Sequence, residues 1–92
     1  MKLGTRIKRI RRVDAERYCV AVEYVDGFSG TVDLNFIFER PARRPLVAEI
    51  LRGGLFGRCF VESGALAWPN GYELCPDAVR AWIVAQRRGR AA

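Results

Sequence analysis

The stretch from Trp68 to Asp77 constrains the fold of this chain more than any other. It places Asn70-Gly71 between alternating apolar residues, a pattern that predicts a tight two-residue hairpin turn. Pro76-Asp77 then precedes apolar residues at helical spacing, which predicts the start of a helix. The stretch therefore predicts paired antiparallel strands followed directly by a helix.

The length and composition of the chain favour one folded domain. The chain has 92 residues, and a domain of this size buries roughly 60–65% of its unfolded surface, enough for one modest core. Half of the residues are hydrophobic and ten are aromatic, which is typical of a globular protein and not of a disordered tail. We expect a single domain over residues 1–92, with an ordered core at about 5–88 and a basic C-terminal tail.

Alternation of apolar and polar residues predicts a hairpin in the first third of the chain. From Arg17 to Val25 one side of the strand is apolar, and Asp26-Gly27 supplies a two-residue turn into a returning strand that ends near Leu34. The residues predicted to face the core are Tyr18, Val20, Val22, Tyr24, Phe28, Gly30, Val32 and Leu34.

A basic segment before this hairpin predicts an edge strand with a bulge. Ile7, Ile10 and Val13 are spaced by three residues, and an irregularity of one residue returns both isoleucines to the same side. The positive charge of such a strand discourages pairing with another copy of itself.

The second half of the chain predicts a helix, a three-stranded meander and a closing helix. Pro45 fits the first turn of the helix, whose stripe is Leu46, Val47, Ile50 and Leu51, and Gly53 ends it. The further predicted elements are a strand over 55–62, a turn at Ser63-Gly64, strands over 65–68 and 72–74, and a helix over about 76–88 with Val79, Trp82, Ile83 and Gln86 on one side. The predicted fold class is α+β, with one antiparallel sheet of about five to six strands and two flanking helices.

The residue types present exclude several common activities. The chain has no histidine, the usual base of catalytic triads and the commonest ligand of catalytic zinc. Gly53, Gly54 and Gly57 lack the lysine and hydroxyl residue of a nucleotide-binding loop. We expect no catalytic residues, no metal and no cofactor, and therefore not an enzyme.

The cysteines and the N-terminal sequence predict a cytoplasmic protein. Cys19, Cys59 and Cys75 are odd in number and far apart, which suits reduced, buried thiols better than disulfides or a zinc site. Basic residues from Lys2 onward replace the apolar core of a signal peptide, and no run of apolar residues is long enough to span a membrane.

Four residues have both a structural and a functional interpretation. Asp33 and Asp77 lie at predicted helix starts, where we expect them to cap the helix, with metal binding or acid–base catalysis as the alternative. Cys75 precedes a helix that could activate its thiol, but it is expected to continue a strand into the core. Trp68 is expected to pack against Trp82 in the core, with a ligand-stacking platform as the alternative.

Basic residues collect near both ends of the chain and suggest an anionic partner. The net charge is +6, and fourteen of the sixteen basic residues are arginines, which can pair bidentately with carboxylates or phosphates. The residues predicted to contact a partner are Lys8, Arg9, Arg11, Arg12, Arg87 and Arg88. An acidic protein and a nucleic acid are both compatible with this pattern.

Several motifs in their order resemble the bacterial domain of unknown function 2442. The motif residues are Asp26, Gly27, Asp33, Trp68, Pro69, Asn70, Gly71 and Asp77, and the resemblance covers about residues 7–83. It implies a small α+β domain with an antiparallel sheet, no established catalytic residues, and a relation to small partner proteins of toxin–antitoxin-like pairs. Some members of this family are joined to a helix-turn-helix domain. In the present sequence only Ala91 and Ala92 follow Arg90, so that second arrangement is not expected.

These observations lead to two hypotheses of different class. The first is a non-enzymatic, cytoplasmic protein-interaction or regulatory module, antitoxin-like, that holds an acidic protein. The second is direct nucleic-acid binding through the arginine-rich N-terminal strand and C-terminal helix. The sequence leaves the oligomeric state open, including a homo-oligomer.

Overall fold

The computed structural model describes residues 5–90, apart from the side chains of residues 42 and 90. In this range the chain forms strands β1 to β6 and helices α1 to α3. Their bounds are β1 Ile7–Asp14, β2 Cys19–Tyr24, β3 Ser29–Asp33, α1 Asn35–Phe38, α2 Pro45–Arg52, β4 Phe60–Glu62, β5 Ala65–Ala67, β6 Glu73–Leu74 and α3 Pro76–Arg90. Short 3₁₀ turns at Pro41–Arg43 and Phe56–Arg58 connect them. The predicted domain ends, 1–4 and 91–92, lie outside the described residues.

The fold is α+β as predicted, but the prediction of one sheet with five to six strands is wrong. Strands β1-β2-β3 form one antiparallel sheet, called sheet A here, and β4-β5-β6 form a second, called sheet B. The two meet where the Ile7 N–H donates to the Gly64 carbonyl at 2.9 Å. A register shift lies between Ile7 and Arg9 at this end of β1, and the strand pairing does not continue into sheet B.

The bulged edge strand was predicted correctly. The pairing of β1 with β2 slips between Ile7 and Arg9 and again between Ile10 and Arg12. These two irregularities keep the apolar side chains on one face: Ile7 is buried, and Ile10 and Val13 pack against the core. Unbulged, the spacing of three would have sent alternate apolar residues into solvent.

The alternation in β2 is confirmed, and it decides which face of sheet A is covered. Val20, Val22 and Tyr24 are completely buried, whereas Cys19, Ala21 and Glu23 between them are only half-buried. The covered face receives α3 through its buried residues Val79 and Ile83, as predicted from their spacing.

Helix α3 approaches β3 closely because β3 contains a glycine. A Cβ atom at Gly30 would lie 2.6 Å from the Ile83 Cγ2 methyl and 2.8 Å from Arg87 Nη2. No carbon atoms pack that closely, so any side chain at this position would displace the helix. The glycine thus fixes the distance between α3 and sheet A.

Asp26-Gly27 and Asn70-Gly71 had been predicted as two-residue turns, which is wrong, whereas the turn predicted at Ser63-Gly64 is present and contains two residues. Ser63 and Gly64 both have positive φ, 51° and 84°, as the two-residue type I′ turn requires. At Gly27 and Gly71 only the glycine has positive φ, and each loop contains three residues. These loops follow the second common hairpin pattern, a tight turn followed by a left-handed glycine.

The predicted helix α2 is present, but most of the strand predicted over 55–62 is not. Two backbone bonds end α2, from Gly54 N–H to Leu51 O at 3.3 Å and from Leu55 N–H to Ile50 O at 2.9 Å. The chain then makes a 3₁₀ turn that buries Phe56, and β4 begins only at Phe60.

Candidate functional site: two arginine-bearing surfaces

Trp68 is a core residue and not a ligand platform. Its side chain is 1% exposed, and the indole N–H donates to the Phe56 carbonyl at 3.0 Å. The rings of Phe38, Phe56 and Tyr72 surround it, each with its centroid 5.7 Å away. The predicted contact with Trp82 is wrong, because the ring that meets Trp82 is that of Phe36.

The two carboxylates considered for catalysis do not converge. Asp33 Oδ1 accepts hydrogen bonds from the Asn35 backbone N–H at 2.9 Å and from Asn35 Nδ2 at 2.8 Å, which forms an Asx turn just before α1, whose N-cap residue is Leu34. Its backbone is held by the Gln86 amide, which bonds both the N–H and the C=O of Asp33 at 2.9 Å. Asp77 lies in the first turn of α3, nine residues before Gln86, which corresponds to about 13 Å along a helix. The pair therefore forms no acid–base site.

The three cysteines are free thiols in different environments. Cys19 and Cys59 are half-buried, and burial raises the pKa of Cys59 to about 11. Cys75 is exposed, so the expectation that it enters the core is wrong. Leu74 occupies the inward position of the strand end, and alternation turns the next residue outward. Within residues 5–90, no three of the cysteines and carboxylates cluster closely enough to hold a metal ion.

The basic N-terminal strand borders the uncovered face of sheet A, called the open face here. Arg9 and Arg11 lie 3.4 Å and 3.7 Å from the carboxylate of Glu23, one of the half-buried residues of β2. In the next row Arg12 pairs across the strands with Ala21, and Ala21 with Thr31. Three arginines thus stand along one edge of this face.

Small side chains leave a shallow hollow of about 330 Å³ on the open face. Its lining residues are Arg12, Asp14, Arg17, Cys19, Ala21 and Thr31. Asp14 also shapes the adjoining turn, since its Oδ1 accepts the N–H groups of Glu16 and Arg17 at 3.1 Å. The open face therefore offers a flat centre with a rim of mixed charge.

The predicted partner-binding residues of α3 lie on the other side of the sheet. The Arg87 guanidinium donates to the Ser29 carbonyl at 2.6 Å and sits 5.2 Å from the centre of the Phe28 ring. Its Nη2 is also beside Gly30, on the face that α3 covers. Arg88 is exposed on the same helix. The basic residues predicted as one site are thus divided, with Arg9, Arg11 and Arg12 beside the open face, Arg87 and Arg88 on α3, and Lys8 exposed on β1.

A neighbouring arginine ties α3 to the β2–β3 turn. Arg80 Nη1 lies 2.9 Å from Asp26 Oδ2, and its guanidinium stacks 4.2 Å above the centre of the Phe28 ring. The hydrogen bond from the Phe28 backbone N–H lowers the pKa of Asp26 below its usual range, and Arg80 makes a smaller contribution in the same direction. These contacts give Arg80, Arg87 and Asp26 structural roles.

A second arginine-bearing surface was missed from the sequence. A hollow of about 490 Å³ lies between α1 and α2, lined by Phe36, Glu39, Arg40, Arg43 and Arg44. We call it the arginine–phenylalanine hollow. The signal in the sequence was the run Arg40-Pro41-Ala42-Arg43-Arg44-Pro45, whose prolines and charges are typical of a connecting loop. The sequence pattern did not predict that Phe36 would be exposed beside this run of arginines.

No protein-family model, no curated protein and no solved structure matches this chain. The resemblance to the domain of unknown function 2442 therefore stays a prediction that rests on the motifs alone. Among the helices described, none is long and apolar enough to cross a membrane.

Proposed function

We propose that this protein is a non-enzymatic cytoplasmic interaction module that holds an acidic protein partner on the open face of sheet A. The observation that carries the proposal is the row of Arg9, Arg11 and Arg12 along a face whose centre, at Ala21 and Thr31, has only small side chains. A partner can approach such a centre closely while its carboxylates meet the arginine rim.

The charges of the open face favour a protein over a polyanion. Glu23 already partners Arg9 and Arg11, and Asp14 lies in the hollow with Arg12. A surface of alternating sign suits a partner whose charges are patterned, because complementary potentials set register and reject wrong partners. A nucleic acid would bring its phosphates against both carboxylates.

The motif resemblance supports the same proposal and makes it more specific. The toxin–antitoxin-like pairs implied by the motifs contain one small protein that binds and restrains another. We propose an antitoxin-like or regulatory role for this chain, with the partner encoded by an adjacent gene. The motif residues Trp68 and Asn70 act inside the scaffold in this proposal and do not touch the partner.

Co-expression with the product of the neighbouring gene, followed by size-exclusion chromatography with light scattering, tests the proposal. We expect a stoichiometric complex in which hydrogen exchange is slowed in β1 and β2. Arg9→Glu with Arg12→Glu should abolish the complex, whereas Arg58→Glu with Arg88→Glu, which changes the net charge equally, should leave it intact. A clean monomer in the presence of that product, or equal loss in both double variants, would contradict the proposal.

A further inference from the structure

The arginine–phenylalanine hollow has the composition of a site for a different kind of partner, and we propose that it binds single-stranded nucleic acid. Its three arginines supply contacts for successive phosphates, and Phe36 supplies a surface on which one base stacks. This surface is separate from the open face of sheet A. The inference therefore goes beyond the proposed protein–protein function and can fail independently of it.

The arginines of the hollow are not neutralised by the protein. The ion pairs found among residues 5–90 join Arg9 and Arg11 to Glu23 and Arg80 to Asp26. Arg40, Arg43 and Arg44 take part in none of them, although Glu39 lines the same hollow. Three exposed guanidinium groups against one carboxylate leave a net positive charge for an anionic ligand.

The end of a helix adds to this positive potential. Arg44 is the N-cap residue of α2, and no side chain caps that helix or places a carboxylate in its first turn. The positive end of the α2 dipole therefore lies beside the arginines. A phosphate near Arg44 would be stabilised by both.

Phe36 is exposed in a way that suits a stacking base. Its side chain is 45% exposed, more than expected for a large apolar residue of a small core. Its ring meets Trp82 edge-to-face, with centroids 5.0 Å apart and planes at 78°. No other ring in the described part of the chain is stacked on it, so a base can occupy that position. Aromatic rings among arginines are the usual means by which proteins hold single strands.

The same features argue against an acidic protein in this hollow. Carboxylates alone would use the arginines and leave Phe36 exposed, whereas a nucleotide offers a phosphate and an aromatic base together. A duplex has its bases already stacked and cannot use Phe36 either. Single strands should therefore bind more tightly than duplexes or acidic peptides.

Fluorescence anisotropy on the full chain tests the inference. The probes are labelled oligo(dT) and oligo(U) of about ten nucleotides, a duplex of equal length and a polyglutamate peptide. Phe36→Leu keeps an apolar contact with Trp82 but removes the ring, and should weaken single-strand binding by about 5- to 150-fold. Phe60→Leu, at another exposed phenylalanine, is the matched control and should have no effect.

Salt dependence separates a site from general charge attraction. Arg43→Gln with Arg44→Gln should lower the log–log salt slope by about 1.4, because each phosphate contact on a single strand contributes about 0.7. Arg52→Gln with Arg58→Gln removes the same charge elsewhere and should leave the slope unchanged. Thermal melts confirm that each variant is folded. Preference for oligo(U) or for oligo(dT) shows whether RNA or DNA binds more tightly and supports the site in either case.

Three results would overturn the inference. The first is equal binding of polyglutamate and oligonucleotide, which would assign the hollow to acidic proteins. The second is unchanged single-strand affinity in a folded Phe36→Leu variant. The third is an equal change of slope in the two arginine pairs.

Discussion

Two hairpin loops of this protein have the same local geometry and different surroundings. The β2–β3 loop spans Tyr24 to Phe28, and the β5–β6 loop spans Trp68 to Tyr72. In both, the glycine N–H donates to the carbonyl of the first aromatic residue at 3.0 Å. The glycines share a φ of 92°. The two loops thus share their backbone geometry and one sequence pattern, which is aromatic, variable residue, Asx, glycine, aromatic.

The Asx side chains play the same local part in the two loops. Asp26 Oδ1 accepts the N–H of Phe28 at 3.0 Å, and Asn70 Oδ1 accepts the N–H of Tyr72 at 3.3 Å. Either side chain can accept this bond, so local turn chemistry does not distinguish them.

What differs is the element that each loop holds. Asp26 has only acceptors left and binds the Arg80 guanidinium of α3, whereas the Asn70 amide donates to the Leu46 carbonyl of α2 at 2.9 Å. The Asx-Gly pair therefore shapes the loop, while the choice of carboxylate or amide selects the helix that docks on it.

The largest effect is expected from removing the buried aromatic residue of the β5–β6 loop. Trp68→Ala should destabilise the protein by about 3–5 kcal/mol, because it opens a large cavity among the rings of the core and removes the indole bond to the Phe56 carbonyl. Since a domain of this size is stable by roughly 5–14 kcal/mol, the variant should be close to unfolding. Urea denaturation followed by circular dichroism measures the loss. A loss below about 1 kcal/mol would place Trp68 outside the core.

The two glycines should be equally costly to replace. A Cβ at Gly27 or at Gly71 would meet no atom within 4 Å, so the cost of alanine comes only from the left-handed backbone. That cost is about 1–2 kcal/mol for a residue with a Cβ. Asparagine, which tolerates this conformation better, should cost less at both positions. Clearly unequal losses in urea denaturation would show that one loop is strained by its surroundings.

The predictable part of this fold is the part set by local chemistry. Alternation identified β2 and its buried face, Pro45 and the glycines after it delimited α2, and the spacing of Val79 and Ile83 gave the buried side of α3. Each of these depends on residues near one another in sequence. The three-residue length of the Asx-Gly loops was missed because Asn-Gly and Asp-Gly fit both hairpin patterns.

The remainder depends on contacts between distant residues. The division into two sheets occurs at the end of β1, where Ile7 bonds the Gly64 carbonyl but β1 and sheet B form no ladder. The division of the basic residues between two faces follows from that topology and could not be read from their clustering in sequence. The arginine–phenylalanine hollow likewise forms only where α1 and α2 meet. Its arginines were visible in the sequence, but their position beside Phe36 could not be predicted from it.

A smaller effect is expected from removing the hydroxyl group of Tyr24, the first aromatic residue of the β2–β3 loop. The buried Tyr24 hydroxyl donates to the Pro76 carbonyl at 2.8 Å, the counterpart of the Trp68 indole bond. Tyr24→Phe keeps the packing and should cost about 1 kcal/mol by removing the hydroxyl's bond to that carbonyl. Urea denaturation at neutral pH measures it. A variant as stable as the parent would mean that water replaces the hydroxyl.

The same residue should make stability depend on alkaline pH. Burial raises the pKa of Tyr24 well above its ordinary value, so the folded state favours the neutral phenol. The corresponding stabilisation is fully present below about pH 10 and is lost as the pH rises above the pKa of the unfolded chain. The parent should therefore lose its advantage over Tyr24→Phe above about pH 10. A constant difference across that range would contradict the raised pKa.

The smallest effects come from exchanging the two Asx side chains, and they test the comparison most directly. Asn70→Asp keeps the bond to Tyr72 but removes the donor to Leu46, and should cost about 0.5–1 kcal/mol. Asp26→Asn keeps the bond to Phe28 and loses only an exposed ion pair, so its cost should be smaller. Because the pKa of Asp26 is lowered, the stabilisation by its charge is present above about pH 4 and disappears as the pH falls below it. Denaturation of both variants at neutral and acid pH measures these effects. The Asp26→Asn difference should vanish in acid, and the Asn70→Asp difference should shrink there, because a protonated carboxyl regains an O–H donor for the Leu46 carbonyl. If Asn70→Asp cost no more than Asp26→Asn at neutral pH, the choice of carboxylate or amide would not select the docking helix.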